Sequence, residues 1–364
     1  MPVTGMFMEP WNKKKHPEGL RTFDNVKLVA LSTCPTFGIV RYELHKTYKS
    51  GYRAMPLEAG IACHEAFSAV RLADLYLNGN RFYPELDVMS IARMRAEQLF
   101  GYDRTQEWLK QIDSAEDVER RIMLGALEIF NSTGFYDDEK DKRRTVANIE
   151  EALIVYCTRY PIGKIMPVVA TASDGKMFVG VEIGIDMYLR IDTTVAMHEY
   201  HFVGRLDALM YKTADKKEII IEDDKTASRL DDAWRASWSV NHQPTGYCVA
   251  ASALTHMPVN KGNIRGLAIP IPKTYDYGGH IVEPFTRTEQ QFTEWAEWVV
   301  FVDQMTRPFL DTPLNAPKFT HSCNRYFHAC PYIAFCDSDM EDRKAMLQEM
   351  ETEEWTPLEA EVHG

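Results

Sequence analysis

Apolar positions along this chain change period twice. From Pro56 the segment LEAGIACHEAFSAVRLADLYL sets Ile61, Phe67 (or His64), Val70 or Leu72, and Leu75 at helical intervals, predicting one apolar face on a long helix. Further helices are predicted over 88–100, 104–112, 116–131 and 147–158, so that the first 160 residues are mainly helical. Ahead of them lies a polar, basic leader. The stretch NVKLVALSTCPTFGIVRYELH follows it, with Ser32 or Thr33 as the cap of a helix containing Cys34. The spacing then becomes that of strands. MFVGVEIGIDMYLRI, MHEYHFVGRLDALMY and KEIIIEDD predict three adjacent, largely antiparallel strands, with DTT and TADKK as tight connections. Helical spacing returns at Tyr247, Ala250, Ala251 and Leu254, with Pro244 in the first turn, where a missing N–H costs least. IRGLAIPIP and the piece from His280 to Phe285 are candidate strands. TEQQFTEWAEWVVFVDQMTRPF is an amphipathic helix, and the acidic tail is predicted to hold a short exposed helix or to fray.

Onto this pattern the chain places a set of charged groups. Asp207 lies on one predicted strand, and the next apolar run ends in Asp223 and Lys225. An Asp-x-Lys alone means little. At the ends of neighbouring strands, however, two carboxylates can hold a divalent cation, and a lysine two positions along lies on the same face. That is a metal-dependent phosphodiesterase arrangement. By strand alternation one of Asp223 and Asp224 faces the site and the other faces solvent, and the spacing to Lys225 selects Asp223. Gln243 and Tyr247, one helical turn apart, follow on the next helix.

Charge and composition narrow the setting. The formal charge of −12 is the wrong sign for a simple electrostatic DNA binder, so contacts to phosphate would be local. No apolar run is long enough to span a bilayer, and no signal peptide is read at the start, so a cytoplasmic, reducing location is expected. An odd count of seven cysteines argues against a disulfide framework. Cys157 and Cys248 fall in apolar helical surroundings and read as core. Cys323, Cys330 and Cys336, three within fourteen positions, instead suggest a metal site whose fourth ligand comes from elsewhere.

In these residues the chain resembles the PD-(D/E)XK nuclease superfamily, and within it the RecB-like exonuclease group. The matching motifs occur in order: His64 in AGIACHEAF with Gly60 before it, Asp207 in GRLDAL, the run Asp223, Asp224, Lys225 and Thr226, and Gln243 with Tyr247. Glu182, on the strand before Asp207, also has a counterpart. The resemblance implies an α/β restriction-endonuclease-like core, a mixed central sheet flanked by helices. It implies that His64, Asp207, Asp223 and the carbonyl of Asp224 hold Mg²⁺ or Mn²⁺, that Lys225 positions or activates water, and that Gln243 and Tyr247 orient Lys225 or touch the substrate.

The resemblance extends to an iron–sulfur subgroup of AddB and CRISPR-adaptation-nuclease type, which takes one cysteine from before the nuclease core and three from after it. Cys34 in STCPTFGIVRY matches the early position; Cys330, Pro331, Tyr332 and Cys336 match the late ones, while the gap from Cys323 is longer than the subgroup's. A [4Fe-4S] cluster on Cys34, Cys323, Cys330 and Cys336 joining the chain ends is therefore expected, with Zn²⁺ as the alternative for four thiolates. The implied organisation is an N-terminal segment to 55, a helical region 56–160 carrying His64, a nuclease core 161–315, a cysteine segment 316–340 and an acidic tail 341–364.

The function expected from sequence is a divalent-metal-dependent DNA exonuclease acting on ends or single strands in recombination, repair or replication. A recombination, replication or helicase partner is expected, since the chain carries no GxxxxGK[ST] motor motif of its own. The alternatives are a CRISPR-adaptation nuclease and a non-catalytic DNA-binding or scaffolding protein that retains the fold. The joint presence of Asp207, Asp223 and Lys225 argues against the scaffold.

Overall fold

The computed structural model describes residues 2–48, 54–171, 177–269, 279–325, 328–356 and 358. The region read as a polar leader contains strand β1 (Val3–Pro10). Helix α1 (Asn25–Thr33) starts one residue after Asp24, whose carboxylate caps it by accepting the Lys27 N–H at 2.5 Å. Ser32 and Thr33, expected to cap a helix containing Cys34, are instead the last residues of α1. Cys34 is not inside a helix: it is extended, with φ −160°, between α1 and the short turn Pro35–Gly38. Pro35 explains the break, because a proline disfavours helical geometry in the residue before it.

The helical region follows its predicted course as α2 (Met55–Asn78), α3 (Val88–Phe100), α4 (Tyr102–Asp113), α5 (Val118–Asn131) and α6 (Val146–Arg159). On α2 the buried face is made of Ala59, Ala62, Cys63, Ala66, Phe67 and Val70, while Ile61 is exposed. Small residues let this helix approach its neighbours closely. Where α4 meets α5, a side chain at Gly125 would stand 2.9 Å from Trp108, so glycine is required there.

Next come strands β2 (Val181–Thr193), β3 (Met197–Tyr211) and β4 (Ile219–Ala227), helix α7 (His242–Thr255), strands β5 (Lys261–Ala268) and β6 (His280–Thr286), and helix α8 (Glu289–Thr306). Pro244 does lie in the first turn of α7. The acidic tail holds α9 (Met340–Glu349) and a two-residue strand, Glu351–Thr352.

The chain divides into two compact units. The central unit comprises Ala54–Gly184 and Arg205–Thr288. Its sheet is mixed: β3 pairs antiparallel with β4, β4 parallel with β5, and β5 antiparallel with β6. The parallel register sets Ile264 beside Asp223 and Arg265 beside Asp224. Helices α2 to α6 share an apolar core with the sheet residues Val181 and Leu267, in which Phe67, Trp108 and Tyr156 are fully buried. The expected α/β architecture, a mixed sheet flanked by helices, is present. Short strands at Met166–Pro167 and Val169–Thr171 were not predicted by the periodicity, and the strand predicted from Met177 is broken into Met177–Val179 and β2.

The terminal unit comprises Met1–Arg53, Ile185–Gly204 and Glu289–His363. Here β1 pairs antiparallel with the second half of β2. Glu351–Thr352 pairs antiparallel with Lys46–Thr47, the Tyr332 hydroxyl donates to the Lys46 carbonyl at 2.6 Å, and Thr36 Oγ1 donates to the Ala316 carbonyl at 2.8 Å. Val40, Tyr332, Phe335 and Met350 form a small apolar cluster that joins the early and late segments.

The expected joint was a four-cysteine cluster, and this is corrected. Cys34, Cys323, Cys330 and Cys336 are free thiols. Burial, with smaller contributions from neighbouring cysteines, raises the pKa of Cys330 and Cys336. Their sulfurs nevertheless do not gather as a ligand set. Among the described residues, the group of three or more His, Cys, Asp or Glu donors within 4.8 Å of one another contains no cysteine. The backbone gives the reason. Cys34 sits at a helix break, Cys323 and Cys330 flank the short paired strands Asn324–Arg325 and His328–Ala329, with the Cys330 N–H donating to the Cys323 carbonyl at 2.8 Å, and Cys336 lies in the helical turn Ile333–Asp337. That turn is held by Arg343, which donates to the Cys336 carbonyl at 2.9 Å, and Cys330 and Cys336 pack against the aromatic cluster. Neither the [4Fe-4S] cluster nor its zinc alternative is carried by this arrangement.

Candidate active site

The site is built from elements of the central unit. α2 supplies His64 and Ser68, β2 supplies Glu182, β3 supplies Asp207, and β4 supplies Asp223, Asp224 and Lys225. Gly60 lies on α2 one turn before His64, and a side-chain carbon there would stand 3.6 Å from Thr226 Oγ1, at the end of β4. That close approach brings His64 to the sheet.

His64, Glu182 and Asp207 converge, with one donor atom from each lying within 4.8 Å of the others. His64 Nδ1 is 3.5 Å from Asp207 Oδ1. The other oxygen of Asp207 accepts the Asp224 N–H at 2.7 Å, which fixes the carboxylate against β4. Ser68 Oγ donates to Glu182 Oε1 at 2.9 Å. Beside this group, Lys225 Nζ lies 2.9 and 2.8 Å from the two oxygens of Asp223. The same ammonium stands 5.8 Å from the centre of the Trp238 ring. On α7 the Gln243 amide donates to the Tyr247 hydroxyl at 3.0 Å.

Burial sets the electrostatics. Burial would lower the pKa of His64, but Asp207 and Glu182 outweigh it and raise the imidazole to about 9. Burial pushes Asp207 up while His64 and Lys225 pull harder, leaving it below the usual carboxylate range. Glu182 is raised to about 7, by burial first and then by Asp207. Asp223 is raised to about 6, by burial first and then by Asp207, against the pull of Lys225. Several carboxylates sharing one buried place therefore compete for the available positive charge, which is the condition under which a cation is attracted.

Glu182 stands out in its backbone. Its φ is 50°, left-handed for a residue in a strand and for a side chain other than glycine. Such a conformation costs of order 1–3 kcal/mol and is maintained only by surrounding contacts. Regular alternation would put Glu182 on the side of the exposed Gly184 and Asp186, away from the buried Val181, Ile183 and Ile185. The turned backbone buries Glu182 instead and brings its carboxylate to Ser68. The sequence signal was its position on the strand preceding Asp207; strand periodicity alone could not indicate the inward orientation.

Asp224 is not solvent-facing. Its side chain is fully buried, 2.5 Å from the equally buried Arg71 guanidinium, and accepts from the Tyr156 hydroxyl at 3.0 Å. It points away from the His64 group and anchors β4 to α2 and α6. Arg71 and Tyr156 read as ordinary helix residues in the sequence, so this support was not predicted.

Residues 30–337 match the family model of the PD-(D/E)XK nuclease superfamily. The chain belongs to this superfamily. The comparison with curated proteins gives no match. Membership brings a fold used for phosphodiester hydrolysis, while the iron–sulfur subgroup does not follow, since its four cysteines form no ligand group among the described residues. In this superfamily member the donor chemistry fits a divalent cation. One imidazole nitrogen with carboxylate oxygens is a mixed set that accepts Mn²⁺ and, through its oxygens, Mg²⁺. No helix is long and apolar enough to cross a membrane among the described residues.

Proposed function

We propose that the chain is a divalent-metal-dependent deoxyribonuclease that degrades DNA from ends or as single strands. The observation that supports this most is the convergence of His64, Glu182 and Asp207, from three separate elements, beside an Asp223–Lys225 pair. His64, Glu182 and Asp207 would hold Mg²⁺ or Mn²⁺, with Asp223 adjoining them. Asp224 would take part through its backbone carbonyl, since its carboxylate is committed to Arg71. When bound, the cation supplies Lewis-acid stabilisation of the phosphate and a more acidic water.

The chain's own groups supply the rest. Lys225, held by Asp223, places an ammonium where negative charge builds on the phosphate. Trp238 beside it limits the space open to water. Gln243 and Tyr247 present a linked pair of hydrogen-bonding groups suited to the strand backbone. In this reading the enzyme is cytoplasmic and works with a recombination, replication or helicase partner that delivers the DNA end.

The test uses end-labelled single-stranded DNA, linear duplex and closed circular DNA, each with Mg²⁺, Mn²⁺ or chelator. Metal-dependent loss of linear substrates with circles intact is the expected result. Cleavage of circles would replace the exonuclease by an endonuclease. No cleavage of any substrate with either metal would overturn the proposal in favour of a scaffold that retains the fold.

A further inference from the structure

We infer that Arg95 is a positioning residue for the metal-donor group: it holds the left-handed turn that aims Glu182 at His64 and Asp207. This inference rests on the metal reading proposed above. Arg95 lies on α3, outside the motifs noted in the sequence. Its guanidinium donates to two successive strand carbonyls. Nε and Nη2 reach the Val181 oxygen at 3.2 and 2.8 Å, and Nη2 reaches the Glu182 oxygen at 2.6 Å. Nη1 is braced by Gln98 Oε1 at 3.0 Å.

That pattern is foreign to a regular strand. Successive carbonyls along an extended strand point to opposite sides, so one planar guanidinium cannot collect both. It does so here because Glu182 has a φ of 50°, which turns adjacent carbonyls towards the same donor. The fork and the left-handed residue therefore select each other. From the other side, Ser68 Oγ bonds the carboxylate at 2.9 Å. Backbone and side chain of Glu182 are each gripped by a different helix, Arg95 from α3 and Ser68 from α2. Without the fork, the side-chain contacts of Glu182 with Ser68 and, at 4.0 Å, with Arg205 Nη1 are left to oppose relaxation to ordinary strand geometry, which turns its carboxylate out of the donor group.

Partners that orient a ligand, without touching the metal, commonly change metal affinity by about 10–100-fold when removed. The probe is Mn²⁺ alone, titrated by calorimetry and by loss of the free-ion paramagnetic resonance signal, with circular dichroism to confirm the fold. Arg95→Ala is expected to weaken Mn²⁺ binding by about 10–100-fold. Arg95→Lys, which keeps charge and most packing but cannot fork, should fall nearly as far; it serves as the test variant should Arg95→Ala not fold. The deciding arm is Glu182→Gln. It should itself weaken binding, and adding the Arg95 substitution should then change little, because no carboxylate remains to be aimed. Equal losses from the Arg95 change in both backgrounds would show a merely structural role and overturn the inference. So would wild-type Mn²⁺ affinity in a folded Arg95→Lys protein. Absence of Mn²⁺ binding by the wild type would overturn the metal reading itself, and this inference with it.

Discussion

Two regions of this molecule carry metal-type ligands, and among the described residues only one of them assembles a donor group. In the central unit, His64, Glu182 and Asp207 are far apart in the chain yet bring donor atoms within 4.8 Å. In the terminal unit, Cys323, Cys330 and Cys336 are neighbours in sequence, and with Cys34 they form no such group among the described residues. The difference lies in what holds each ligand. The acids and the histidine stand on long elements whose register is fixed by the sheet and by buried partners such as the Arg71–Asp224 pair. The cysteines stand at a helix break, beside a pair of two-residue strands and in a short turn, where local backbone bonds and the packing of Tyr332 and Phe335 decide the conformation. Nearness in sequence is therefore a weaker guide to a site than attachment to rigid, paired elements.

The contrast is tested most severely by substitutions in the central unit. Asp207→Ala and Asp223→Ala are each expected to reduce metal-dependent DNA cleavage by about a thousandfold or more while the fold persists, measured on end-labelled DNA. Lys225→Ala should suppress turnover by orders of magnitude with Mn²⁺ binding still measurable by calorimetry. Asp224→Ala should act through stability. Breaking a buried ion pair and stranding Arg71 costs about 3–5 kcal/mol, to be read from urea unfolding.

The terminal unit should respond to packing and ignore its thiols. Tyr332→Ala should cost about 3–5 kcal/mol by opening a cavity in the aromatic cluster, again by urea unfolding. Cys323→Ser and Cys330→Ser, both partly exposed, should each shift stability by less than about 1 kcal/mol. A larger loss from serine than from the tyrosine truncation would reverse the ranking of packing over thiols.

A pH-dependent comparison takes one buried acid from each unit. Asp74 in the central unit and Asp24 in the terminal unit are both raised to about 6, in each case by burial first, against the hydrogen bonds that lower them. A folded-state pKa above the unfolded one means that the protonated acid favours folding. Each contribution is complete below the unfolded value near 4 and is lost as pH rises through about 6, amounting to roughly 2–3 kcal/mol. Asp74→Asn and Asp24→Asn should each flatten the stability profile between pH 4 and 6 in denaturant titrations. Unchanged profiles would show that these carboxylates titrate alike in the folded and unfolded chain.

Much of the architecture is legible in one dimension. The helices from α2 to α6 and the strands β3 and β4 follow apolar spacing, because each buries one face and that face repeats with the element's own period. The edge strand β1 escaped this reading because it buries only Met8 and shows no clear alternation. Asp207, Asp223 and Lys225 could be singled out because each lies at a defined place on a periodic strand, and His64 through the family motif that it matches. Arg71, Tyr156 and Arg95 could not, since a polar residue on a helix gives no sign in the sequence of which distant group it will meet.

What the sequence by itself determined is the alternation of helix and strand, the mixed α/β order and the acids that ride on it, since these depend on local period and residue type. Only the tertiary structure decided that Glu182 turns inward and that Asp224 is buried. It also decided that the late cysteines pack on aromatic rings instead of gathering as ligands. Each of these outcomes depends on groups distant in the chain. A left-handed strand residue persists only where a fork such as that of Arg95 holds it, and a buried carboxylate only where a partner such as Arg71 meets it.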